Sequence, residues 1–256
     1  MQESHNIGRP LLDGQYRPMT DTICLLECSA KRAAEAFHEW RVRTYARDGR
    51  KLHIQPIQRP NLETALDELL PLVTRTNRWL FLDTTSEWCA YFANWWVGTD
   101  STPVAPLAGK RCGCRGIRAT STPNIPMKKV GNEWFGNYGA EILEVYRSGW
   151  TEIGNTERSI CAMNDGGRWS FDTYGEPYDF ENIEAYAAKR KRDRFTHNML
   201  DSYLRHLGID AYNGSFYRPN GRCSGFLLNI QGTPFPDQRE YSLDGLRGRC
   251  VGPAGT

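Results

Sequence analysis

Two runs of the chain, Arg78–Thr84 and Trp88–Trp96, constrain its fold more than any others. In Trp79-Leu80-Phe81-Leu82 the side chains on both faces of a strand are apolar. In the second run Trp88, Ala90, Phe92 and Trp96 fall on one face, and Cys89, Tyr91, Ala93 and Trp95 on the other. Side chains alternate across a strand, so a strand apolar on both faces has to be covered on both. The short link around Ser86 makes the two runs an antiparallel hairpin in the middle of a sheet.

Flanking this hairpin are elements with clear punctuation. Ile23–Cys28 reads as a buried strand, and Ser29 caps a helix whose stripe is Ala33, Phe37 and Trp40. Leu52–Gln58 is extended, but Pro56 cannot donate to a ladder and so places it at a sheet edge. Asn61 caps a second helix that Pro71 ends or kinks, and Asp100 or Ser101 caps a third. Gly116–Ser121, Tyr138–Tyr146 and Arg158–Met163 read as strands, with Thr122–Gly136 as a loop. Asn164-Asp165-Gly166-Gly167 is a hairpin turn, followed by the alternation of Trp169, Phe171 and Thr173. Asp179 is expected to cap a helix carrying Phe180, Ile183 and Ala187. Thr196 caps another, carrying Met199, Leu200, Tyr203, Leu204 and Leu207, which Gly208 ends.

The order is strand and helix units, then hairpins, then two helices. It predicts an α+β fold: a mainly antiparallel mixed sheet with helices packed on it, in a single domain with N- and C-terminal extensions. Residues 1–18 read as a disordered, dispensable lead, 19–212 as the α+β domain, and 213–256 as a Gly/Pro-rich extension with one possible strand at Phe226–Ile230. A chain of 256 residues suits one large domain, and eight Trp, twelve Tyr and ten Phe supply its core.

Several chemistries are excluded or left without a signal. No stretch approaches the ~18 apolar residues of a membrane helix, and the polar start lacks the apolar core of a secretion signal. G-x-G-x-x-G, G-x-S-x-G and H-E-x-x-H are absent, and Gly109-Lys110 is followed by Arg111, which breaks the phosphate-loop pattern. His5, His38, His53, His197 and His206 are scattered and read as surface or structural residues. The acids Asp172, Glu176, Asp179, Glu181 and Glu184 cluster near a helix start, where they suit its dipole. No catalytic residue is assigned.

There are eight cysteines and no C-x2-C pair. Cys24, Cys89 and Cys161 sit in strand-like runs as small buried hydrophobes. Cys112-Gly-Cys114, flanked by Lys110, Arg111 and Arg115, offers two thiols one residue apart. Nothing near them in sequence completes a metal shell, so no metal or cofactor is expected. Reduced thiols and a cytoplasmic protein are the expectation.

The sharpest charge feature is Lys189-Arg190-Lys191-Arg192-Asp193-Arg194, placed by the expected helix at its C-terminal end. Formal net charge is only +2, so any basic patch is local. Arg, Trp and Tyr anchor interfaces, which makes Lys189, Arg190, Arg192, Arg194, Trp95 and Trp96 the candidate partner-binding residues.

RWLFLDTTSEWCAYFANWWVGTD (Arg78–Asp100) and the segment Asn164–Ile209 together resemble segments of small bacterial proteins, some similar to the immunity partners of secreted toxins. The resemblance spans about a quarter of the chain and carries no catalytic motif. It implies a non-enzymatic binding protein that neutralises a toxin by occluding its active site. The alternatives are a nucleic-acid-binding accessory protein using residues 189–194, or an enzyme whose site is assembled from scattered residues.

Overall fold

The hairpin of the two apolar runs lies inside a nine-stranded sheet in the computed structural model, which describes residues 10–99, 104–130, 133–151 and 154–246. The strands are β1 (Thr22–Leu26), β2 (Arg50–Arg59), β3 (Leu72–Val73), β4 (Arg78–Asp83), β5 (Cys89–Ala93), β6 (Gly116–Thr122), β7 (Ile125–Val130), β8 (Glu133–Asn137), β9 (Ala140–Thr151), β10 (Gly154–Asp165), β11 (Arg168–Tyr174), β12 (Cys223–Gly232) and β13 (Glu240–Tyr241). The helices are α1 (Ala30–Arg47), α2 (Leu62–Asp67), α3 (Val104–Cys112), α4 (His197–His206) and α5 (Leu243–Leu246). The sheet order is β11-β10-β9-β6-β1-β5-β4-β12-β2, with every neighbour antiparallel. This is the expected α+β architecture, with β4 and β5 interior and β2, the strand with Pro56, at an edge.

Alternation along the strands builds two cores. On one face Trp79, Phe81, Tyr91 and Leu26 meet α1 and α3. Phe37 of α1 is the wedge there, its ring 5.3 Å from Trp79 and 5.6 Å from Phe81. On the other face Ile23, Leu25, Leu80, Leu82, Phe92, Leu143 and Ile160 pack with Leu62, Leu66, Leu200 and Leu204 from α2 and α4. Helix starts are fixed locally: the side chains of Ser29, Asn61 and Thr196 accept the N–H groups of Arg32, Thr64 and Met199. The expected cap of α3, Asp100 or Ser101, lies outside the described residues.

The second apolar run ends sooner than its composition suggests, because Asn94 turns inward. Fully buried, it accepts the N–H groups of Asn77 (3.1 Å) and Arg78 (3.0 Å) and donates to Pro71 O (3.1 Å) and Asn77 Oδ1 (2.8 Å). Beyond this point the backbone passes from β4 to β3: the Val73 N–H donates to Asn94 O (2.8 Å) and the Trp96 N–H to Val73 O (3.0 Å), so Trp95 and Trp96 lie outside β5.

Four other expectations are corrected. Residues 10–18 are not a loose lead: Leu11 and Tyr16 are in the core, and the Tyr16 hydroxyl donates to Asp67 Oδ1 at 2.8 Å. The domain does not stop at residue 212, since β12 is inserted between β4 and β2. Its Gly225 is required by close approach, because a Cβ there would meet Phe81 O at 1.9 Å. The stretch expected as a loop, 122–136, carries most of the β7–β8 hairpin. Finally, the helix expected from Asp179 is a short 3-10 turn, Ile183–Ala187, capped by Asn182.

Candidate functional site

One flank of the sheet, formed by β9, β10 and β11, carries the basic segment 189–194. The segment is not a helix end: Lys191–Asp193 is a single 3-10 turn packed beside β11. Arg194 points inward, donating from Nε to Ala188 O at 2.8 Å with its guanidinium 5.6 Å from the Phe171 ring centroid. Lys189, Arg190 and Lys191 are exposed, and Arg192 is half-buried. Arg190 (2.5 Å) and Arg192 (3.7 Å) share Asp193, which trims the local charge.

A buried ion pair fixes this segment. Arg158 of β10 holds Glu181 in a fork, Nε to Oε1 at 2.8 Å and Nη2 to Oε2 at 2.6 Å. Glu181 also accepts the Tyr178 N–H and the Tyr186 hydroxyl, while Arg158 donates to the carbonyls of Tyr174 and Gly175. Burial works against the Glu181 charge, but these donors more than offset it and hold the carboxyl below its usual range. Tyr178 and Phe180 stack, and Phe180 stacks on His206 of α4. Such contacts, rather than helical periodicity, set the conformation of 176–188.

The large apolar side chains that are exposed among the described residues are Ile125, Tyr138, Met163, Tyr174 and Ile183, all within 125–183. Ile125 is on β7, and Tyr138 leads into β9. Met163 pairs with Ala140, Tyr174 ends the outer strand β11, and Ile183 opens the 3-10 turn. Trp95 and Trp96 are not part of this surface. They follow β5, five strand spacings or ~24 Å from β11 at the usual separation. Both are half-buried, with Trp96 stacked on Tyr241 at 5.5 Å.

A second constellation was not legible from sequence spacing. The thiol sulfurs of Cys28, Cys112 and Cys114 lie within 4.8 Å of one another. Local geometry explains their meeting. β1 and β6 are antiparallel neighbours, with Leu26 opposite Gly116 and the Glu27 N–H bonded to Arg115 O at 3.0 Å. The end of β1 therefore lies beside the start of β6, and α3 delivers Cys112 to the same corner. Gly113, at φ 60°, turns the chain between the two thiols. Hydrogen bonds from Cys114 and Cys28 hold the Cys112 thiol well below its usual value, with Arg32 adding to the effect. The Cys28 and Cys114 thiols are pushed up because each bonds to Cys112. The three thiols are thus hydrogen-bonded to one another, and Cys112 Sγ also lies 4.0 Å from Arg32 O. Cys28 is half-buried and Cys112 and Cys114 are buried, and none of the three is in a disulfide.

Ser121, Glu141 and His197 also meet. Ser121 Oγ donates to Glu141 Oε1 at 3.1 Å and lies 2.8 Å from His197 Nδ1. The Ser121 hydroxyl thus bridges a carboxyl and an imidazole. Ser121 and His197 are buried, and Tyr212 covers His197 with ring centroids 4.3 Å apart. The trio is a polar patch of the core. Nearby, an open polar cavity of about 440 Å³ is lined by Leu12, Asp13, Glu63, Arg205, Tyr212 and Asn213 among others, and by none of these three nor the three thiols.

No helix among the described residues is long and apolar enough to cross a membrane. Comparison with protein-family models, curated proteins and solved structures finds no match for this chain.

Proposed function

We propose that the protein is a non-enzymatic binding protein of the immunity type, acting in the bacterial cytoplasm to neutralise a toxin by covering its active site. The observation that carries this reading is the exposed Ile183 next to the exposed basic residues Lys189, Arg190 and Lys191, on one segment packed beside the edge strand β11. Ile183 supplies desolvatable area there, Lys189, Arg190 and Lys191 supply positive charge, and Tyr174, exposed at the end of the edge strand on its other face, extends the apolar surface around that edge. The partner is accordingly a protein with an acidic cleft, attracted by the basic segment and sealed by the apolar residues. The residues that act are then Lys189 and Arg190, with Arg192 at the rim. Arg194 positions the segment, and Trp95 and Trp96 fall outside the interface.

The test is capture of partners by the tagged full chain from its own cells, at moderate and at high salt. A stoichiometric protein with an acidic cleft, retained at high salt and lost with Tyr174→Ala/Ile183→Ala, is the expected result. Lys189→Glu/Arg190→Glu should slow its association at low salt. Nucleic acid that is lost steeply as salt rises would replace this reading with the nucleic-acid one. A partner whose binding neither double substitution alters would remove this flank from the interface.

A further inference from the structure

We propose that Cys28, Cys112 and Cys114 form a binding site for a thiophilic metal ion, Zn²⁺ being the ion their geometry suits. Tetrahedral Zn²⁺ with Zn–S near 2.3 Å needs sulfurs about 3.8 Å apart. Three sulfurs already within 4.8 Å of one another reach that spacing by small side-chain rotations. The backbone that carries them is held by the β1–β6 ladder and by the end of α3, so the site is formed before an ion arrives. Cys28 is half-buried and gives an ion a way in, while buried Cys112 and Cys114 close the far side.

Charge supports the assignment. Three thiolates and one Zn²⁺ leave one negative charge. The Arg32 guanidinium faces this corner: its Nη2 lies 3.9 Å from where a Cβ on Gly113 would be, and Cys112 Sγ is 4.0 Å from Arg32 O. Binding is coordination without redox change. Each protonated thiol that becomes a ligand releases its proton to solvent, and each S–H bond is replaced by a Zn–S bond. Three protein ligands leave the fourth position for water or an external donor. The site is independent of the toxin-binding flank, and its failure would leave that reading intact.

The experiment is Co²⁺ titration of the reduced, metal-stripped full chain, followed by displacement with Zn²⁺. The expected result is thiolate-to-cobalt charge-transfer absorption that saturates at a single ion per chain and is abolished by Zn²⁺. Calorimetry of Zn²⁺ binding in two buffers of different ionisation enthalpy should show proton release. Cys28→Ser, Cys112→Ser and Cys114→Ser should each weaken binding at least about tenfold, a loss of about 1.4 kcal/mol or more. Cys161→Ser, on β10, should leave it unchanged. Absence of the charge-transfer band in the reduced wild-type protein would overturn the proposal. Zn²⁺ binding without proton release would do the same, and neither readout depends on a variant folding.

Discussion

Arg158 and Glu181 form a two-pronged ion pair in which both side chains are almost wholly sheltered from water, with exposures of 3% and 0%. The pair links β10 to the segment that carries Lys189–Arg194. Arg158→Met should therefore cost about 3–5 kcal/mol, because it strands a buried carboxylate. Arg158→Met/Glu181→Leu should recover much of that loss. Urea unfolding of the two single variants and the double variant measures the coupling. The single variant should also become protease-sensitive between residues 176 and 195 before the domain unfolds.

Asn94 is the device that ends β5, and all its polar atoms are used. Asn94→Ala should destabilise the protein by about 2–3 kcal/mol, since it leaves part-buried backbone groups without partners. Asn94→Asp keeps the acceptor oxygen but loses the donor to Pro71 O and Asn77 Oδ1, so it should also destabilise. Chemical denaturation with an unchanged denaturant slope would confirm that the native state alone is affected.

Burial, offset in part by the Ser121 hydrogen bond, pushes the Glu141 carboxyl from 4.5 up to about 8. Burial likewise pushes Asp21 up to about 7, against the pull of Arg17. A raised folded-state value means that the native protein holds a proton the unfolded chain has released. Stability from Glu141 is thus present at acid pH and is lost as pH rises from about 4.5 to about 8. Glu141→Gln stays neutral throughout. Its stability relative to wild type should improve across that window by at least about 1 kcal/mol. His197, which burial keeps neutral, slopes the opposite way but is common to both proteins. Thermal melts of the pair at several pH values make the comparison, and parallel curves would show that Glu141 ionises normally.

What the sequence determined by itself is local. Ser29, Asn61 and Thr196 start their helices because each cap satisfies an N–H only three residues ahead. The β4–β5 hairpin is legible because two short runs, apolar on both faces, must be covered on both. Only the tertiary structure decided where more distant pieces meet. The strand within 213–256 was visible, but not its insertion between β4 and β2, which depends on Gly225 letting Phe81 O come close. The periodicity of Phe180, Ile183 and Ala187 gave way to the Arg158–Glu181 pair and to ring stacking on α4, because a buried charge outweighs the weak preference of a short helix. The thiol cluster shows the same division. Cys112 and Cys114 are separated in the chain by Gly113 alone, but Cys28 reaches them only because β1 and β6 pair, and sheet pairing is a long-range choice that no short sequence window contains.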